Sequence, residues 1–186
     1  MATRTPAKKA SSTAAKKAPA KTAARRPKDA CDLLDADHKA VKKMFEEFET
    51  LTQSRGRNAP AKKRELADRI CMELTVHTTI EEEIFYPAVR GAIKDNALLN
   101  EATVEHASAK DLIAQIRGMD ENDEMFDARV SVLGEYIDHH VKEERTEMFP
   151  KVRKTRLDLV GMREQLQARK DELMASSQLE EVSEMA

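Results

Sequence analysis

One eleven-residue pattern occurs twice in this chain: His77-Thr78-Thr79-Ile80-Glu81-Glu82-Glu83-Ile84-Phe85-Tyr86-Pro87 and His140-Val141-Lys142-Glu143-Glu144-Arg145-Thr146-Glu147-Met148-Phe149-Pro150. Each copy sets a histidine and a glutamate four residues apart, one turn along a helix, where both side chains reach a common point. That is metal-ligand geometry. Two further histidines, His38 and His106, lie upstream of the two copies. Together His38, His77, Glu81, His106, His140 and Glu144 make a set able to hold two transition-metal ions between packed helices.

The chain around the pattern reads as helix. Only five glycines and six prolines, no tryptophan and 35% charged residues favour helices with solvated outer faces over a sheet protein. At 186 residues and 40% hydrophobic content, the chain can bury one core, so one domain with extensions is expected. Four apolar stripes at three- and four-residue spacing each carry one of the histidines. The first is Leu34, His38, Val41, Phe45, Phe48, Leu51, and it breaks between Ser54 and Pro60. The second is Leu66, Ile70, Leu74, His77, Glu81, Ile84, ending or kinking at Pro87, because a proline lacks a donor and clashes with the preceding turn. The third, Leu99, Ala102, His106, Ala109, Ile113, Ile116, stops at Gly118 before the polar loop Asp120 to Asp123. The fourth is Phe126, Val130, Leu133, Ile137, His140, Glu144, Met148, ending at Pro150.

Short connections imply antiparallel neighbours. The expected architecture is therefore all-α, an antiparallel up-and-down four-helix bundle over residues 29–150. Residues 151–186 should add a short amphipathic fifth helix (Leu157, Val160, Met162, Leu166, Leu173), frayed from Ser176 onward. Asp37-His38 and Glu105-His106 each open a helix pair that ends in a His-x3-Glu helix, so the bundle should consist of two related hairpins.

The formal charge of −2 hides a division. Residues 1–28 carry nine basic side chains and no acidic one, which leaves about −11 on the rest. Without leucine, isoleucine, valine or an aromatic residue, that stretch is expected to be a disordered basic arm. Clustered lysine and arginine suit non-specific contact with nucleic-acid phosphates, although no aromatic residue interleaves them to stack on bases. No run of about 20 apolar residues is available to span a bilayer, and a cytoplasmic location is preferred over the organellar one that an acid-free, basic leader would also fit. Cys31 and Cys71, forty residues apart, read as reduced thiols and not as a redox or zinc motif. Nothing resembles a phosphate-binding loop, a nucleophile elbow or a dinucleotide fingerprint.

Several residues have competing readings. His139 also has a glutamate, Glu143, four residues on, but only His140 repeats the spacing of His77 to its proline and lies on the Leu133, Ile137 stripe. Glu82, Glu83, Glu143 and Glu147 read as a solvated acidic face and not as extra ligands, although Glu82 could approach the centre if the helix unwinds. Tyr136, one turn before His140, either donates a hydrogen bond near the centre or packs at its edge.

Over Cys31 to Pro150 these residues resemble the hemerythrin-like family, the HHE cation-binding domain. Its order of a histidine, a His-x3-Glu, a histidine and a second His-x3-Glu on successive helices is met by His38, His77/Glu81, His106 and His140/Glu144. The resemblance implies a non-haem di-iron centre with two iron ions, bridged by the glutamates and capped by the histidines. Oxygen-carrying members have another histidine four residues after the third-helix ligand, where this chain has Lys110. A lysine must lose its proton to bind metal and replaces a histidine poorly. The implied function is therefore reaction with, or sensing of, oxygen, peroxide or nitric oxide. Peroxide consumption of a catalase-like kind is its enzymatic form, and a non-catalytic iron-binding or sensor module is the alternative.

Overall fold

A computed structural model of the chain describes residues 26–54 and 56–184, with the side chains of 178 and 180–184 left aside. Its regular structure, among the described residues, is entirely helical. Helix α1 spans Ala30–Thr52, α2 Ala59–Ile80, α3 Tyr86–Ala92, α4 Asn96–Arg117, α5 Phe126–Glu143, α6 Phe149–Val152 and α7 Leu159–Glu184. A π-helical turn, Glu81–Phe85, joins α2 to α3, and a second, Glu144–Met148, joins α5 to α6. Residues 1–25, most of the expected basic arm, lie outside the described residues.

Local chemistry sets the helix starts. Asp29 caps α1: its side chain accepts from Asp32 N–H at 3.0 Å, while Asp29 N–H donates to the Asp32 side chain at 2.9 Å. Arg153, just past α6, donates to Asp29 and Asp32 at 3.0 Å and so pins the end of that helix to the start of α1. Hydrogen bonding to Arg26 holds the Asp32 carboxyl down at about 2. Asp95 caps α4 through Leu98 N–H, and a proline in the first turn opens α2, where its missing donor costs nothing.

Helices α1, α2, α4 and α5 pack in a closed circuit, each against the next, and α7 lies against α1, α2 and the first π turn. Buried apolar residues fall into two clusters. One contains Leu34, Ile80, Phe85, Leu99, Ala102, Met148 and Leu166. The other contains Val41, Phe48, Ile70, Leu74, Ala109, Phe126 and Ile137. On every helix of the circuit a polar level separates the two: His38 lies between Leu34 and Val41, His77 between Leu74 and Ile80, His106 between Ala102 and Ala109, and His140 between Ile137 and Met148.

Three expectations are corrected. Pro87 and Pro150 do not stop their helices. The backbone widens into a π turn just before each, with Tyr86 N–H bonded to the Glu81 carbonyl and Phe149 N–H to the Glu144 carbonyl. This gives the proline ring room over the carbonyl four residues back, and helix resumes. The expected short fifth helix is instead α7, at 26 residues the longest of the described helices. Its leucine, methionine, glutamate and lysine content and lack of proline favour that length, and Met162 and Leu166 anchor it in the core while Val160 stays exposed. Helix also persists to Glu184, through the stretch expected to fray.

Helix α5 approaches α1 closely at Gly134, where an added Cβ would stand 3.1 Å from the Phe45 ring. A Gly134→Val variant should therefore lose about 1–3 kcal/mol of stability in chemical denaturation, whereas Val132→Ala on the exposed face should change little. Burial pushes the Cys31 thiol up to about 12 and the Cys71 thiol up to about 11. Both should resist iodoacetamide in the folded protein at neutral pH and react on unfolding, as mass spectrometry would record.

Candidate metal centre

The polar level between the two clusters holds all six sequence-predicted side chains, each at least nine-tenths buried. Their imidazoles meet in two pairs: His38 Nε2 lies 2.9 Å from His77 Nε2, and His106 Nε2 lies 3.3 Å from His140 Nε2. Both glutamates lie between the pairs. Glu81 Oε2 is 3.2 Å from His77 Nε2 and 3.3 Å from His106 Nε2. Glu144 Oε2 is 3.3 Å from His38 Nε2 and 3.7 Å from His140 Nε2. Each carboxylate thus faces one histidine of each pair. A cavity of about 10 Å³, lined by all four histidines, marks the meeting point.

Buried carboxylates need partners, yet Glu81 Oε1 and Oε2 and Glu144 Oε2 have no hydrogen-bond donor among the described residues. A cation would supply what these oxygens lack. Imidazole nitrogen and carboxylate oxygen suit iron, manganese and zinc alike, so the residues present fit a metal site. Two overlapping ligand groups result, one of His38, His77, Glu81 and Glu144 and the other of Glu81, His106 and His140.

Protonation follows from this burial. Desolvation and the neighbouring Glu144 charge push Glu81 well above the usual carboxylate range. Burial also works to raise Glu144, but the imidazoles of His140 and His38 outweigh it and hold that carboxyl low. Desolvation lowers His77 to about 4, and desolvation with the charge of His140 lowers His106 to about 4. For His140, the Glu144 and Glu105 carboxylates overcome burial and raise it. Three histidines present their outer nitrogen to a carboxylate, as histidines that bind metal generally do. His140 Nδ1 lies 2.8 Å from Glu105, His106 Nδ1 lies 3.1 Å from Glu82, and His77 Nδ1 lies 3.6 Å from Asp37.

Four of the supporting residues escaped the sequence reading. Glu82, expected on a solvated face or near the centre only if the helix unwinds, lies in the widened turn and serves His106 as a supporting carboxylate, and Lys110 holds it with contacts of 2.7 and 2.6 Å. Lysine at that position therefore bonds a supporting carboxylate. Asp37 and Glu105 each precede a histidine of the set, a repeat visible in the sequence whose purpose was not. Helix α7 contributes Lys170, 2.7 Å from Asp37. Burial works to raise the Asp37 carboxyl, and the neighbouring His77 imidazole with the hydrogen bond from Lys170 outweighs it and holds it low.

The tyrosine near the centre is Tyr86, not Tyr136, which is 47% exposed. Tyr86 donates to Glu144 Oε1 at 3.0 Å and lies 3.2 Å from His106 Nε2. His139, at 63% side-chain exposure, faces Glu105 and Glu143 outside the core.

Replacing Glu81 with glutamine removes a carboxylate that is costly to bury without metal. The metal-free Glu81→Gln protein should be more stable than metal-free wild type by about 1–3 kcal/mol in denaturant titration. The order should reverse in saturating metal, which stabilises only the chain that binds it.

A family model described as the hemerythrin HHE cation binding domain matches residues 29–152. A DNA nickase of Nostoc sp. (strain PCC 7120 / SAG 25.82 / UTEX 2576) is 32% identical over 122 residues, 66% of this chain and 33% of that protein. The chain thus spans about a third of that relative's length. The crystal structure of a hemerythrin HHE cation binding domain-containing protein, the Rv2633c homolog from Mycobacterium kansasii, matches with a TM-score of 0.66 at 20% identity. That match covers 82% of this chain and 91% of that one, and at such identity it shows a shared fold. With two thirds of its length matched by the family model and its paired histidines and glutamates gathered at one buried level, the chain belongs to the hemerythrin HHE cation-binding domain family.

Proposed function

We propose that the circuit of α1, α2, α4 and α5 is an antiparallel up-and-down bundle holding two iron ions as a non-haem di-iron centre. His38 and His77 would hold one ion and His106 and His140 the other, with Glu81 and Glu144 available to both. The observation that carries this reading is the placing of each glutamate Oε2 against one histidine of each pair. A di-iron pair supplies electrons in single steps and positions open to a small ligand, so the proposed activity is reaction with, or sensing of, oxygen, peroxide or nitric oxide in the cytoplasm.

The chain's own residues set the conditions for that chemistry. Tyr86 fixes the orientation of Glu144 by hydrogen bonding and is the nearest phenolic proton to the centre. Phe149 stacks on His38 with ring planes 4° apart, and Phe85 packs edge-on against Phe149, which keeps bulk water from that side. Apolar clusters above and below the level lower the local dielectric, strengthening the hold of the carboxylates on any cation.

Iron-loaded wild type should contain about two irons per chain and show an absorption change on exposure to air or peroxide that His77→Ala lacks. In its catalytic form the proposal also requires peroxide consumption to fall to background in His77→Ala and Glu144→Ala. Equal rates in all three proteins would reject catalysis, and a lack of stoichiometric iron would reject the centre itself. For a sensor that does not turn over, removing iron should leave Glu81 and one oxygen of Glu144 unpaired in the core and raise protease sensitivity.

A second role, tethering to nucleic acid, is supported by the nine basic and no acidic residues among residues 1–28 and by the likeness to the Nostoc DNA nickase, a third of whose length this chain spans. Deleting residues 1–28 should abolish retention on DNA cellulose at low salt and leave iron content unchanged; unaltered retention would remove this role.

A further inference from the structure

The two halves of the centre are related by sequence offsets, and those offsets expose a difference between them. A shift of 63 residues carries His77 onto His140, Glu81 onto Glu144 and Pro87 onto Pro150. A shift of 68 carries Asp37-His38 onto Glu105-His106. Supporting carboxylates obey the same relation in part, since Asp37 stands behind His77 as Glu105 stands behind His140. The relation fails at Glu82. Its counterpart is Arg145, which has donors only and cannot accept a proton from an imidazole.

That failure leaves a mark in the core. His106 Nδ1 has Glu82 at 3.1 Å, itself held by Lys110. In the facing pair neither His38 Nδ1 nor His77 Nδ1 has a hydrogen-bond partner among the described residues, while Arg145 turns to Asp35 at 2.8 Å. The other histidine of each pair follows the same bias, with 2.8 Å from His140 to Glu105 against 3.6 Å from His77 to Asp37. Offset partners Tyr86 and Phe149 extend it: a phenol hydroxyl lies beside His106, and a plain phenyl ring stacks on His38. A surface groove of about 610 Å³ between α1 and α5, lined by Lys39, Lys42, Lys142 and Arg145, reaches His38.

A carboxylate behind a histidine fixes its tautomer and ring orientation and raises its basicity, and losing one typically costs about 10–100-fold in metal affinity. We propose that the two metal positions are unequal by construction. The His106–His140 position retains its ion, and the His38–His77 position loads last and releases first. Glu82 and Arg145 are the positioning residues that set the difference. This inference rests on the reading that both positions bind metal.

The test is release of cobalt(II) from the loaded full-length chain to excess chelator, followed by absorbance. Wild type should release two ions in two phases whose rates differ by about 10–100-fold. Glu82→Gln should bring the slow phase close to the fast one, and Glu82→Asp should restore part of the gap. Arg145→Glu, an exposed substitution that offers His38 an acceptor, should slow the fast phase. A merely structural role for Glu82 would shift the thermal midpoint but leave the ratio of rates untouched. One phase in wild type, or an unchanged ratio in both Glu82→Gln and Arg145→Glu, overturns the proposal. Should the chain retain a single cobalt ion, the two-ion reading fails separately. The inequality is then decided by whether His106→Ala abolishes binding, as expected, or His38→Ala does so while His106→Ala does not, which overturns it.

Discussion

Two buried glutamates, three of whose four oxygens lack a donor among the described residues, are the constraint on which the rest of this structure depends. A folded chain keeps such groups inside only when something else repays the lost hydration. Four imidazoles converge on Glu81 and Glu144, and further carboxylates stand behind three of those imidazoles. Lys110 and Lys170 balance two of these carboxylates in turn. Charge alternates outward from the core and reaches solvent at Lys110.

The π turns belong to the same economy of space. A helix that carried Glu81 or Glu144 straight into a proline would press the proline ring against the preceding turn. Widening the backbone by one residue at each glutamate relieves that contact and lets helix continue into α3 and α6. It also places the residue just before each proline, Tyr86 in one half and Phe149 in the other, against a histidine of the set. The difference between these two residues, like that between Glu82 and Arg145, makes the halves chemically distinct while the backbone repeats.

Helix α7 shows how an extension becomes part of the site. Its apolar residues Met162 and Leu166 bury themselves against the cluster that holds Leu34 and Ile80. That docking brings Lys170 to Asp37 and Arg169 to Glu83. The His77 side of the centre therefore depends on a helix beyond the end of the repeated pattern.

Much of this was legible from residue order alone, because it is local. A histidine and a glutamate four apart share a helix face whatever surrounds them, and apolar spacing marks which face is buried. The six side chains of the centre, the helical class and the preference for His140 over His139 follow from such spacings. The partners of those side chains do not. Glu82 to His106, Glu105 to His140, Tyr86 to Glu144 and Lys170 to Asp37 join residues on different helices, and their contact depends on how far one helix is rotated and slid against another. Pro87 was read as a stop or a kink because proline disrupts an α-helix in isolation, and the packed helices hold the widened turn that accommodates it. Periodicity within a helix is written in the chain; register between helices is set only by packing the whole core at once, and that register decides which acidic residues support the centre and which face water.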